Sequence, residues 1–109
     1  MNLYKKIIGN FGIALEKTGS FSSDDAETAV YCLYVTNYSK ERITGKIILE
    51  TVPSAEIYPG DNIMMSVKPE CTISTEFTVT RPIVSEKAEL LITIQPDEVS
   101  GITARFEAE

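Results

Sequence analysis

The segment from Cys71 to Thr80, Cys-Thr-Ile-Ser-Thr-Glu-Phe-Thr-Val-Thr, sets Ile73, Thr75, Phe77 and Val79 at every second position, with Thr72, Ser74, Glu76 and Thr78 between them. A period of two sends one set of side chains to each face of an extended backbone, which is the pattern of a half-buried β-strand. Lys68-Pro69-Glu70 precedes the segment and Arg81-Pro82 follows it, so residues without an amide hydrogen bound its ladder on both sides. The element constrains the fold class and carries no chemistry of its own.

The rest of the chain reads the same way. Met1 to Leu15 holds an apolar run interrupted by Gly9 and Gly12, expected to be a first strand with a bulge or kink at one of those glycines. Thr18-Gly19-Ser20 and Ser22-Ser23-Asp24-Asp25 are expected to form a polar loop. Thr28 to Thr36 gives a second strand with Tyr31, Leu33 and Val35 inward, and Asn37-Tyr38-Ser39-Lys40 turns the chain. Ile43 to Thr51 sets Gly45, Ile47 and Leu49 against Lys46, Ile48 and Glu50, before Pro53-Ser54 breaks the strand. Tyr58-Pro59-Gly60-Asp61 is a turn, because proline presets φ and glycine accepts positive φ. Asn62 to Val67 alternates again, with Ile63, Met65 and Val67 inward.

Ser85 to Gln95 admits two readings. Ser85 could cap a helix built from Glu86, Lys87, Ala88, Glu89, Leu90 and Leu91. The alternation of Leu90, Ile92 and Ile94, the β-branched cluster Ile92-Thr93-Ile94 and the stop at Pro96 favour a strand. A last strand, Gly101 to Glu107, is expected with Ile102, Ala104 and Phe106 inward.

About seven strands with one apolar face each cannot be buried in one flat sheet. The expected architecture is all-β, an immunoglobulin-like antiparallel β-sandwich in a single domain spanning residues 1–109. At 109 residues the fold hides about 65% of the surface that the unfolded chain exposes, enough for one core.

Several function classes are disfavoured. A formal net charge of −6 repels phosphate backbones, so nucleic acid is not an expected partner. No run approaches the roughly 18 apolar residues of a membrane helix. Lys5-Lys6 and the following apolar residues resemble a signal peptide only faintly, since Asn10 and two glycines interrupt the run and no small-x-small site follows. Synthesis in the cytosol is expected, for use there or in a virion or surface assembly. The chain has no histidine, which removes the commonest general base and every Ser-His or Cys-His pair. No catalytic residue, cofactor or metal site is expected. Asp24, Asp25 and Glu27 form the one dense acidic group and read as solvated turn residues, with weak calcium binding as the alternative. Cys32 is expected to face outward and Cys71 inward, a mismatch of faces that argues against a disulfide.

A family resemblance rests on four short runs. Val35-Thr36-Asn37-Tyr38-Ser39, Gly45-Lys46-Ile47-Ile48-Leu49, Val67-Lys68-Pro69-Glu70-Cys71 and Phe77-Thr78-Val79-Thr80-Arg81-Pro82 resemble strands B, C, D and E of the immunoglobulin-like modules called CARDB and alpha-galactosidase-associated (NEW3-type) domains. In those modules an asparagine ends strand B and a Pro-Gly-Glu turn starts strand E. This chain lacks the glycine between Pro69 and Glu70. The resemblance implies a non-catalytic module used for spacing, adhesion or assembly.

Surface aromatics supply the candidate site. Tyr34 shares the outward parity of Cys32, Tyr38 and Tyr58 sit in turns, and outward Met64 and Leu91 suggest an apolar face covered by a partner. Tyr34, Tyr38, Tyr58, Met64 and Leu91 are therefore the candidate interface. The expected role is a structural or protein-interaction module that docks onto a larger assembly, such as a phage capsid or tail decoration protein or a surface scaffold, through protein partners or self-association. The alternative is a carbohydrate-binding or enzyme-accessory module.

Overall fold

The computed structural model describes residues 3–52, 55–82, 88–97 and 102–108. Among these, nine strands follow one another: β1 (Leu3–Ile8), β2 (Phe11–Ser22), β3 (Ala26–Asn37), β4 (Ile43–Val52), β5 (Glu56–Tyr58), β6 (Asn62–Val67), β7 (Thr72–Pro82), β8 (Ala88–Pro96) and β9 (Ile102–Ala108). They form a five-stranded sheet ordered β1-β2-β3-β7-β5 and a four-stranded sheet ordered β6-β4-β8-β9, with every ladder antiparallel. The arrangement is an immunoglobulin-like β-sandwich: β2, β3, β7 and β5 take the A, B, E and D positions, β4, β8 and β9 take C, F and G, and β6 lies beside C.

The core follows from parity. Phe11, Ile13 and Leu15 of β2, Tyr31, Leu33 and Val35 of β3, and Phe77 and Val79 of β7 are buried against Ile47 and Leu49 of β4, Met65 and Val67 of β6, and Leu90, Ile92 and Ile94 of β8. Tyr31 and Phe77 face each other across the β3–β7 ladder, and their rings stack with centroids 5.4 Å apart. The strand reading of the segment ending at Gln95 is therefore correct over Ala88–Pro96. Its first residues, 85–87, lie outside the described part, as do 53, 54 and 101. The expected inward set of the last strand also concerns side chains outside it.

Four local expectations are corrected. The first strand is two: Ile8 pairs with Phe11, so Gly9-Asn10 is a two-residue hairpin turn and not a bulge. Gly9 adopts φ 58, the positive value such a turn needs at its first central position. The segment Thr18-Gly19-Ser20 belongs to β2 and is not a loop. The register slips between Lys17 and Gly19, leaving Thr18 as the extra residue of a bulge, and its hydroxyl donates to the Val30 carbonyl at 3.3 Å. Glu56–Tyr58, of which only Tyr58 is assigned above, as the start of a turn, pairs with Thr78–Thr80 as a short edge strand. These elements raise the expected strand count of about seven to nine.

Cys71 is the fourth. It keeps the parity of Ile73 but is exposed, because it precedes β7 in the turn where its N–H donates to the Lys68 carbonyl at 3.1 Å. Cys32 stands opposite Glu76 while Thr72 stands opposite Thr36, so the ladder holds the cysteines far apart along the strand axis.

Asn37 closes this end of the sandwich. It is 0% exposed, and every polar group it carries is engaged. Nδ2 donates to the carbonyls of Glu41 at 2.7 Å and Val67 at 3.0 Å, while Oδ1 accepts from the N–H and hydroxyl of Ser39 at 2.9 and 2.7 Å. Its backbone N–H donates to Cys71 and its carbonyl accepts from Glu70. One side chain thus joins the end of β3, the loop into β4 and the end of β6. That satisfies a buried amide that would otherwise cost several kcal/mol, on the order of 2–7.

Candidate interaction surfaces

The outward set of the five-stranded sheet forms one continuous face. Along β3 it reads Thr28, Val30, Cys32, Tyr34 and Thr36, and the registers place each between partners on β2 and β7. Tyr34 lies between Ala14 and Ser74, Cys32 between Glu16 and Glu76, and Val30 between Gly19 and Thr78. Tyr58 extends the last of these rows from β5 and is 72% exposed, and Phe21, opposite Thr28, is 65% exposed. Threonine pairs stabilise the face at both ends: Thr28 bonds Thr80 at 2.9 Å and Thr36 bonds Thr72 at 2.7 Å, hydroxyl to hydroxyl.

Tyr38 joins this face from the turn. A β-carbon on Gly12 would lie 2.8 Å from Tyr38 Cε2, so the phenol ring covers the glycine and accounts for its burial at an outward position. The Tyr38 N–H donates to the Asn10 carbonyl at 2.8 Å, holding the turn onto the first hairpin. Tyr34, Tyr38 and Tyr58 therefore belong to one sheet face, over a floor of small and hydroxyl residues.

Met64 and Leu91 do not. Met64 stands on β6 and Leu91 on β8, both outward on the four-stranded sheet, which is the opposite face of the sandwich. The apolar set Cys32, Tyr34, Met64 and Leu91 is split between two surfaces because sheet membership depends on pairings distant in sequence. Sequence parity gave inward or outward and could not say on which sheet. Phe21 and Ile7, both exposed on the five-stranded sheet, were missed: one lay in a presumed loop and the other in a presumed single strand.

The electrostatics are mild. The phenol of Tyr34 is pushed above its ordinary ionisation range, first by its hydrogen bond with Cys32, then by negative charge on Cys32 and on Glu16. The Asp24-Asp25 turn spends its polarity locally, with Ser23 Oγ donating to Asp25 Oδ1 and to the Ala26 carbonyl. Among the described residues no group of three acidic or cysteine side chains is arranged to hold a metal. An open cleft of 550 Å³ at one end of the sandwich is lined by Asn10, Phe11, Ser39, Arg42, Thr44 and Asp97 among others; none of these lining residues is a histidine or a cysteine. Among the described residues no helix is long and apolar enough to cross a membrane.

No protein-family model matches this chain, and no curated protein sequence does. Among solved structures, the GAE domain of GGA2p from Saccharomyces cerevisiae is similar, with a TM-score of 0.58 and 18% sequence identity over 97% of this chain and 96% of that one. At that identity the likeness extends to the fold: both chains are immunoglobulin-like sandwiches over nearly their whole length.

Proposed function

We propose that this protein is a non-catalytic protein-interaction module that docks through the outer face of its five-stranded sheet. The observation that carries the reading is the row of aromatic rings Phe21, Tyr34, Tyr38 and Tyr58 spread along that face, with Ala14, Gly19, Ser74 and Thr78 as small residues between them. Tyrosine and phenylalanine on a rigid ladder bury large area at little entropic cost, and small floor residues let a partner approach the backbone closely. The similarity to the GAE domain of GGA2p supports a non-catalytic docking module in general terms. Within that reading we place the chain as an accessory subunit of a larger assembly, of which a phage capsid or tail decoration protein or a surface scaffold are instances. A kinship with CARDB and alpha-galactosidase-associated modules fits the position of Asn37 at the end of β3.

The test is co-purification from the native source. The wild-type chain should retain a protein partner, and the double substitution Tyr34→Ser with Tyr58→Ser should lose it while its thermal unfolding is unchanged. Retention of the partner by the double variant removes this face from the reading, and a lone monomer in every extract removes the reading itself.

Carbohydrate is the second reading, favoured by one specific arrangement: rings that stack on sugars share the face with Glu16, Glu76 and the threonine hydroxyls, which can bond to them. Glycan-array binding by the wild type, lost on Tyr34→Ala or Tyr58→Ala, is its expected result; a blank array ends it.

A further inference from the structure

β6 ends the four-stranded sheet with an edge that carries no charge and no proline. Among the described residues no strand covers the outer edge of β6, which ends the four-stranded sheet. Exposed edges are usually blunted by lysine, proline, bulges or brevity. The other sheet follows this habit, since its β5 edge is only three residues long. β6 does not: Asn-Ile-Met-Met-Ser-Val contains no charge and no proline, pairs with β4 without a bulge, and holds Met64 at 81% exposure.

The direction of its backbone groups follows from one bond. The Leu49 N–H donates to the Asp61 carbonyl at 2.8 Å, one step beyond the β4–β6 ladder. Antiparallel pairing alternates, so Asp61, Ile63, Met65 and Val67 turn their N–H and C=O groups toward β4, while Asn62, Met64 and Ser66 turn theirs to the open edge.

We infer that β6 pairs antiparallel with β6 of a second copy, in the register that sets Met64 opposite Met64. A two-fold axis normal to the sheet keeps each side chain on its face, so residues that oppose each other must share parity. Centring the axis on Met64 meets this rule and pairs Asn62 with the partner's Ser66, so that all the outward N–H and C=O groups of Asn62, Met64 and Ser66 are bonded. Centring it on Met65 leaves Asn62 opposite Lys68, beyond the end of the strand. In the Met64 register the thioether chains meet on the outer face with Asn and Ser side chains on either side. The product is one continuous sheet running through both copies. The surface is separate from the Tyr34 face, so this pairing and the docking proposed above stand or fall independently.

The experiment is sedimentation velocity of the full chain across micromolar to millimolar concentration, with amide exchange on the same samples. The expected result is a shift from 12.0 kDa to twice that mass, with protection of the Asn62, Met64 and Ser66 amides rising with concentration while those of Ile63, Met65 and Val67 are protected throughout. Met64→Lys places like charges across the axis, and Ser66→Pro removes an N–H that the monomer does not use, along with the exposed hydroxyl that accepts from the Arg42 guanidinium at 2.8 Å; each should return the chain to a folded monomer. In a mixture of isotope-labelled and unlabelled chains, an inter-copy contact between the α-protons of Ile63 and Met65 identifies the register. A monomer at millimolar concentration overturns the inference, as does a dimer that survives both substitutions. Protection of these amides by an added extended peptide of another protein, with no self-association, overturns it in favour of a hetero-partner.

Discussion

The side-chain amide of Asn37 donates to the main-chain carbonyl of Val67 at 3.0 Å, tying the end of β3 in one sheet to the end of β6 in the other. Asn37→Ala removes that bond together with those to Glu41 and Ser39, so the Val67 carbonyl and the Ser39 N–H lose these partners, while Ser39 Oγ still donates to the Glu41 carbonyl at 2.9 Å. Each orphaned group costs about 1–3 kcal/mol, so a total loss of about 2–4 kcal/mol is expected from urea unfolding. Asn37→Asp should be at least as damaging at neutral pH, because it turns both Nδ2 donors into a charged acceptor facing two carbonyl oxygens.

Glu70 has φ 58, in the left-handed region where side chains with a β-carbon are strained. It follows Pro69 in a turn closed by the Cys71 N–H to the Lys68 carbonyl, a geometry that asks for positive φ at this position. Glu70→Asn, which tolerates the conformation without adding backbone freedom to the unfolded chain, should stabilise by about 0.5 kcal/mol. Glu70→Val should destabilise by about 1 kcal/mol or more; equal midpoints for the two variants in thermal unfolding would contradict the assignment of strain.

Gly45 sits opposite Pro96, and a β-carbon there would approach Pro96 Cα to 2.7 Å and the Gln95 carbonyl more closely still. Both are backbone atoms held by the ladder, so they cannot yield as a side chain would. Gly45→Ala should lose about 3 kcal/mol, at the upper end of overpacking, whereas Gly19→Ala, with nothing within 4 Å, should stay within about 0.5 kcal/mol of wild type.

The phenol of Tyr34 should ionise above the ordinary tyrosine range. Its folded-state ionisation is raised, so the contribution of its neutral form is intact below the ordinary tyrosine value of about 10 and is lost as pH rises beyond it. Ultraviolet titration should show Cys32→Ala lowering this step the most and Glu16→Gln lowering it less.

The strands with clean alternation and proline or Asn-rich boundaries were legible from composition and spacing alone. Phe77, Val79, Ile47, Leu49, Leu90 and Ile92 all lie where parity put them, because burial of one face leaves a two-residue period that any reader of the chain can see. The elements missed were those whose signal is weak for a physical reason. Gly9-Asn10 reverses the order of the strong Asn-Gly hairpin pair, β5 is too short to show a period, and a bulge at Thr18 interrupts the alternation that would have marked β2 as one strand.

The candidate surface was legible in kind and not in place. The outwardness of Tyr34, Met64 and Leu91 is local information, but whether they share a face depends on which strand each pairs with, and those partners are tens of residues away.

Local pattern in the chain specifies a β-sandwich of acidic composition without histidine and names the inward residues of its central strands, since side-chain period and turn chemistry act over a few residues. The folded arrangement adds that Tyr38 covers Gly12, that Asn37 reaches Val67, that Tyr34, Tyr38 and Tyr58 lie on one sheet while Met64 marks the open edge of the other, and that Glu70 bears strain. Those relations arise from ladder registers and sheet order, which are set by the collective burial of both apolar faces and are written in no short stretch of the chain.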